Sequence, residues 1–213
     1  MATMTVIELL TTIINVVAES LIIPVLILLV IFILLTLIQL GGMLAEYSNR
    51  SKISDEELDV IVNGINDSKS SQEINDIINN SKLNKNIKKI LLKIQGTSHL
   101  KHNTREAYIR KIIENEEYLY AQTLRKTDII TRVSSGCGLL GTLIPLGPGL
   151  ASLGTGDVAT LSAQLIIAFN TTTVGLSCSL VAYVISKIRK MWYTNDISLI
   201  YTISEAIMEA NHA

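Results

Sequence analysis

Charge is what this chain has least of where it is most apolar. No Asp, Glu, Lys, Arg or His falls within residues 133–153 or 158–186. The first twenty residues hold no lysine or arginine. A secretory leader needs a basic start, a short apolar core and a small-residue cleavage site, so the N-terminal segment is expected to be retained. Cysteine is nearly absent too. Cys137 and Cys178 both lie in apolar segments, which argues against a disulfide framework or a zinc site and for two inert buried thiols. His99 and His102 could share a helix face, but two histidines without a third ligand read as solvated rather than metal-binding. No internal repeat of 20 to 50 residues is found. No span brings together a nucleophile, a base and an orienting group, so the chain is not expected to be an enzyme or to need a cofactor. The mixed charges of "RKIIENEEYLYAQTLRK" read as a solvated helical face or a subunit contact, not as a nucleic-acid surface.

What the chain does have is apolar length. With 48% hydrophobic residues and a mean hydropathy of +0.40, it is too apolar for an ordinary soluble domain and points to a polytopic membrane protein. Three segments can cross a hydrocarbon core, which needs about 20 residues of helix. They are residues 21–40, about 133–153, and about 158–186. The second holds five glycines and two prolines, which a helix tolerates when it is packed among other helices.

Basic residues set the expected orientation. Fourteen of the eighteen Lys and Arg lie between residues 46 and 130, and Lys187, Arg189 and Lys190 follow the third span. None precedes the first span or sits in the turn "GTGD" at 154–157. Basic segments stay on the cytoplasmic side. The N-terminus and the short hairpin are therefore expected outside, with the large loop and the C-terminus in the cytoplasm. Residues 1–20 read as an amphipathic outside segment, with Glu8, Thr11, Thr12 and Asn15 on one face. It either lies on the membrane surface before turning in at Pro24 or simply lengthens the first span.

Residues 41–103 read as a cytoplasmic helical insert. Ser54 and Glu57 form a capping-box pattern, a second short helix fits residues 71–80, and "NIKKILLKIQ" suggests a third that ends at Gly96. From about Thr104 to Leu153 no Gly occurs before Gly136 and no Pro before Pro145. A helix can thus run unbroken from the cytoplasm into the second span. The third span can likewise continue to about residue 210, giving a helix on the order of 80 Å long. The expected fold is an all-α membrane protein with three transmembrane helices and long cytoplasmic helical extensions.

Polar side chains in the two charge-free spans fall in stripes. Gln164, Ala168, Thr171/Thr172, Gly175, Ser179, Ala182 and Ser186 share one helical side, and Ser134, Gly138, Gly141/Thr142, Pro145, Gly149 and Ser152 share another. Small residues let helices pack closely in lipid, which accounts for most of them. Asn170 and Thr171–Thr173 are harder to absorb. Four consecutive hydrogen-bonding side chains cannot all face one neighbour, so some need water or another polar partner. Ion-translocating proteins usually keep an ionisable group at membrane depth. Either this chain moves no ion, or another polypeptide brings that group.

The elements "GLLGT" at 138–142, "GTGD" at 154–157 and "AFNTTTVGL" at 168–176 resemble, in order and spacing, the channel domain of the MotA/TolQ/ExbB family. The resemblance covers about residues 104–193, leaving 194–213 as a cytoplasmic C-terminal helix. Three spans with a large insert after the first are similar to the TolQ/ExbB branch. The resemblance implies a homopentamer in the cell membrane around an ExbD/TolR-like single-span partner dimer that carries a membrane-embedded Asp. It implies an ion-driven stator or motor, with Thr142 and Thr172 on the ion pathway. Gln164, Asn170, Thr171 and Thr173 are candidate additional pore lining, and Gly138, Gly141, Pro145, Gly149, Gly175 and Ser179 candidate packing residues. Two departures stand out. Ile167 occupies a position where ExbB-like members carry Glu, and "PLGPG" places Pro145 and Pro148 in a span. The alternative is a passive oligomeric scaffold without transport.

Overall fold

The computed structural model describes residues 2–50 and 53–210, with side chains described from Val6 onward. Residue 1 of the expected outside segment and residues 211–213 of the expected C-terminal helix lie outside the described residues. Seven helices and no strand are present among the described residues: α1 Ala2–Ser20, α2 Ile22–Ser48, α3 Asp55–Asn66, α4 Ser71–Asn80, α5 Lys85–Gln95, α6 His102–Leu153 and α7 Val158–Ala210. Three helical stretches, Val6–Ser48, His102–Leu153 and Val158–Ala210, are long and apolar enough to cross a membrane.

The chain passes from α1 to α2 with almost no break. Leu21 N–H donates to Val17 O at 3.2 Å, and Val25 N–H donates to Leu21 O at 3.1 Å. Pro24 sits in the first turn of α2, where an amide would lack an intrahelical partner, so its missing donor costs little there. Pro145 and Pro148 lie well inside α6. Each removes the N–H that would reach the carbonyl four residues earlier, at Gly141 and Ile144.

The chain divides into two compact units, to both of which α6 and α7 contribute. The first comprises Met1–Met43 and Arg125–Ser186. Its core brings Val25, Leu29 and Phe32 of α2 against Ile130 and Cys137 of α6 and Cys178 and Ala182 of α7. The turn between α6 and α7 is closed by Gly154, Thr155 and Gly156 donating back to the last turn of α6. Gly156 has φ +75, a conformation that glycine adopts without penalty. Asp157 caps α7, accepting from Thr160 N–H at 3.0 Å and Thr160 Oγ1 at 2.6 Å. These bonds hold its carboxyl below the usual carboxylate range.

The second unit comprises Leu44–Leu124 and Lys187–Ala213. Its core is built almost wholly from isoleucine. Ile61, Ile65, Ile74, Ile78, Ile87, Ile90 and Ile94 from α3–α5 meet Ile109, Ile112 and Ile113 of α6 and Ile200, Ile203 and Ile207 of α7. The three- and four-residue spacings place each set on one helical face. The starts of the short helices follow from their caps. Ser54 and Glu57 form a reciprocal capping box on α3, Ser70 accepts from Glu73 N–H on α4, and Asn84 caps α5.

Candidate functional site

The α6–α7 contact in the first unit is made by residues too small to keep two backbones apart. A Cβ on Gly175 would lie 2.6 Å from Ser134 O and 2.7 Å from Gly138 Cα, and one on Gly138 would lie 3.2 Å from Gly175 Cα. A Cβ on Gly141 would meet Thr171 Cβ at 2.6 Å, and one on Gly149 would meet Gln164 Cβ at 3.2 Å. Pro145 is buried along the same face of α6. Ala168, Thr171, Gly175, Cys178 and Ala182 form the buried stripe of α7. The packing candidates Gly138, Gly141, Gly149 and Gly175 thus stand on this seam, with Gln164 covering Gly149.

The four polar residues 170–173 are divided by the helix. Thr171 is buried, and its hydroxyl donates to its own backbone at Ile167 O and Ala168 O, both at 2.9 Å. Thr172 reaches across the seam, its Oγ1 donating to Gly138 O at 3.2 Å. Thr173 is exposed and donates back to Phe169 O at 2.8 Å, while Asn170 is exposed. Thr142 donates to Leu139 O at 2.6 Å. Ser179 makes a second cross-seam bond, Oγ to Thr131 O at 2.7 Å. Thr142, Thr172 and Ser179 are all partly exposed at the edge of the helix pair, so they offer hydroxyl oxygens to whatever covers it. Ile167 is 38% exposed and lacks any group that could titrate.

One member of this row has no counterpart among the residues singled out from sequence. Ser186 Oγ donates to Asp128 Oδ1 at 2.7 Å, and Asp128 lies two helical turns from Ser135 and four from Thr142. Its spacing could have pointed to it, but it falls outside the charge-free spans and among Arg125, Lys126 and Arg132.

The second unit holds a separate polar cluster on α2, α6 and α7. Arg50 pairs with Asp196, donates to Trp192 O at 2.8 Å, and lies 5.2 Å from the Trp192 ring centroid. Arg189 Nε is 3.1 Å from Glu46 Oε2, which also accepts from Tyr193 Oη at 3.3 Å. Tyr120 and Tyr193 stack with centroids 4.3 Å apart. Burial pushes the Asp196 carboxyl up to about 6 against the pull of Arg50, and pushes Tyr193 up to about 12 with help from Glu46. A cavity of about 620 Å³ opens here between Tyr47, Arg50, Met191, Trp192, Asn195 and Asp196. None of the residues that line it is among the pathway candidates. His99 is exposed, with Nδ1 3.0 Å from Gly96 O. Among the described residues no three His, Cys, Asp or Glu side chains come together to hold a metal.

Three helices long and apolar enough to cross a membrane, two of them packed as a tight hairpin, fit a multi-pass membrane protein. The sequence profile of the MotA/TolQ/ExbB proton channel family matches residues 63–200, about two thirds of the chain, and the chain belongs to that family. No curated protein matches it.

Proposed function

We propose that the chain is the stator-type subunit of an ion-driven motor complex, the TolQ/ExbB-like ring that turns proton or sodium flow into mechanical work on a partner. The observation that carries this reading is a hydroxyl row on a hairpin without internal charge. Thr142 and Thr172 stand partly exposed at the edge of the α6–α7 seam, within spans that hold no ionisable side chain. Burying hydroxyls in a bilayer for packing alone calls for none of them to face outward. An ion, in contrast, needs oxygen ligands or ordered water wherever it leaves bulk solvent.

In this reading five copies surround a single-span ExbD/TolR-like dimer whose aspartate supplies the missing charge. Each time that carboxylate binds or releases an ion, Thr142 and Thr172 hydrate it and pass it on. The N-terminus and the α6–α7 turn lie outside the cell membrane, and the second unit lies in the cytoplasm, as the distribution of Lys and Arg favours. A passive oligomeric scaffold is the competing reading, favoured by Ile167, which leaves the hairpin without a carboxylate of its own at that level.

The test is ion flux in liposomes holding the complex purified with its native partner. Flux that is present in the unmodified complex and lost in Thr172→Val, with the assembly intact, supports the motor. Intact assembly with no flux in either supports the scaffold.

A further inference from the structure

Hydroxyls recur every seven residues on both helices of the hairpin. On α7 they are Thr172, Ser179 and Ser186; on α6 the same spacing gives Asp128, Ser135 and Thr142. Seven residues are nearly two full turns, so each set keeps to one helical face over about 21 Å. Each α7 hydroxyl bonds across to α6, at Gly138 O, Thr131 O and Asp128 Oδ1 in turn. None of the six is fully buried. An independent observation lies between the first two of these bonds. Ser134, opposite Gly175, is 0% exposed, and its hydroxyl has no protein partner. Leaving such a group unmet is costly, and a bound water is the usual remedy.

The row ends on a carboxylate. Asp128 is the nearest one to the charge-free spans on the side away from the turn. Arg125, Lys126 and Arg132 share its helix, yet Asp128 makes no ion pair among the described residues, and its partner is Ser186.

We propose that Asp128, with the Ser186 hydroxyl on it, is a second cation site, the acceptor at the cytoplasmic end of the ion path. The proposal rests on the conducting reading given above. A proton arriving through water held by Ser179 and Ser134 binds a carboxylate oxygen of Asp128. The same proton then leaves to cytoplasmic water, which regenerates the carboxylate, and Ser186 donates to the ionised form. A sodium ion would use the same oxygens without the proton.

The experiment is flux in liposomes carrying the complex with its native partner, together with the native mass of each variant. Asp128→Asn is expected to slow flux by at least about a hundredfold, the lower end of what a lost acid–base group costs, with the mass unchanged. Asp128→Glu keeps a carboxylate and is expected to restore flux. Lys126→Gln is expected to leave flux as it was. Undiminished flux in Asp128→Asn, alongside loss in Thr172→Val, overturns this proposal and leaves the conducting reading standing. No flux in the unmodified complex overturns both. If Asp128→Asn and Asp128→Glu both break the assembly, Asp128 is a structural contact and the proposal falls.

Discussion

Gly175 has backbone atoms where a side chain would have to go, and neither Ser134 O nor Gly138 Cα can retreat without moving a helix. Gly175→Ala is therefore expected to destabilise the hairpin by about 1–3 kcal/mol, the usual range for overpacking, seen as a lower unfolding temperature in detergent. Thr172→Val keeps the shape and removes one cross-seam hydrogen bond, so unfolding should shift by only about 1 kcal/mol while ion-driven function is lost. Asp196, beyond the charge-free part of α7, gives a pH signature. Burial raises its folded value from 3.8 to about 6, so its contribution is present below the unfolded value and is lost as pH rises through the folded one. Stability should fall by about 2–3 kcal/mol between those two values and then level off. Denaturant unfolding across pH checks this, and Asp196→Asn should flatten the curve. Of these residues, Thr142 and Thr172 are singled out in the sequence by their positions in the family-like elements "GLLGT" and "AFNTTTVGL". Asp196 is not, because its environment is assembled from Arg50 and Glu46, some 150 residues away in the chain.

At the scale of elements, local chemistry did most of the specifying. The Ser54–Glu57 box and Gly96 place helix ends, and the isoleucine spacing places buried faces, without any long-range information. Leu91→Ala, at 0% exposure among the isoleucines, should cost about 2–5 kcal/mol, with hydrogen exchange rising in α3–α5. Helix rotation is what periodicity leaves open. Residues 170–173 look alike in sequence, yet the seam takes Thr171 inward, spends Thr172 on Gly138 O, and leaves Asn170 and Thr173 exposed. Only the partner helix decides which hydroxyl is which. For the same reason the Asp128–Ser186 contact was missed. It joins residues 58 apart, one of which sits in a segment that reads as ordinary solvated charge.

At the scale of the molecule, membership of a proton channel family and a hairpin without internal charge lead to one requirement. If ions move, the ionisable group at membrane depth comes from outside the hairpin. Composition made the membrane class readable, because long charge-free helices follow from the cost of burying charge in lipid. Copy number and partner are set by surfaces that are apolar in any membrane protein, so sequence pattern alone could not supply them. Native mass spectrometry of the complex extracted in mild detergent, with every co-purifying chain identified, tests the central claim most directly. The expected result is five copies of this chain around two copies of a short single-span protein with an Asp near the start of its span. A monomer or dimer without such a partner would contradict it and return Thr142 and Thr172 to helix packing.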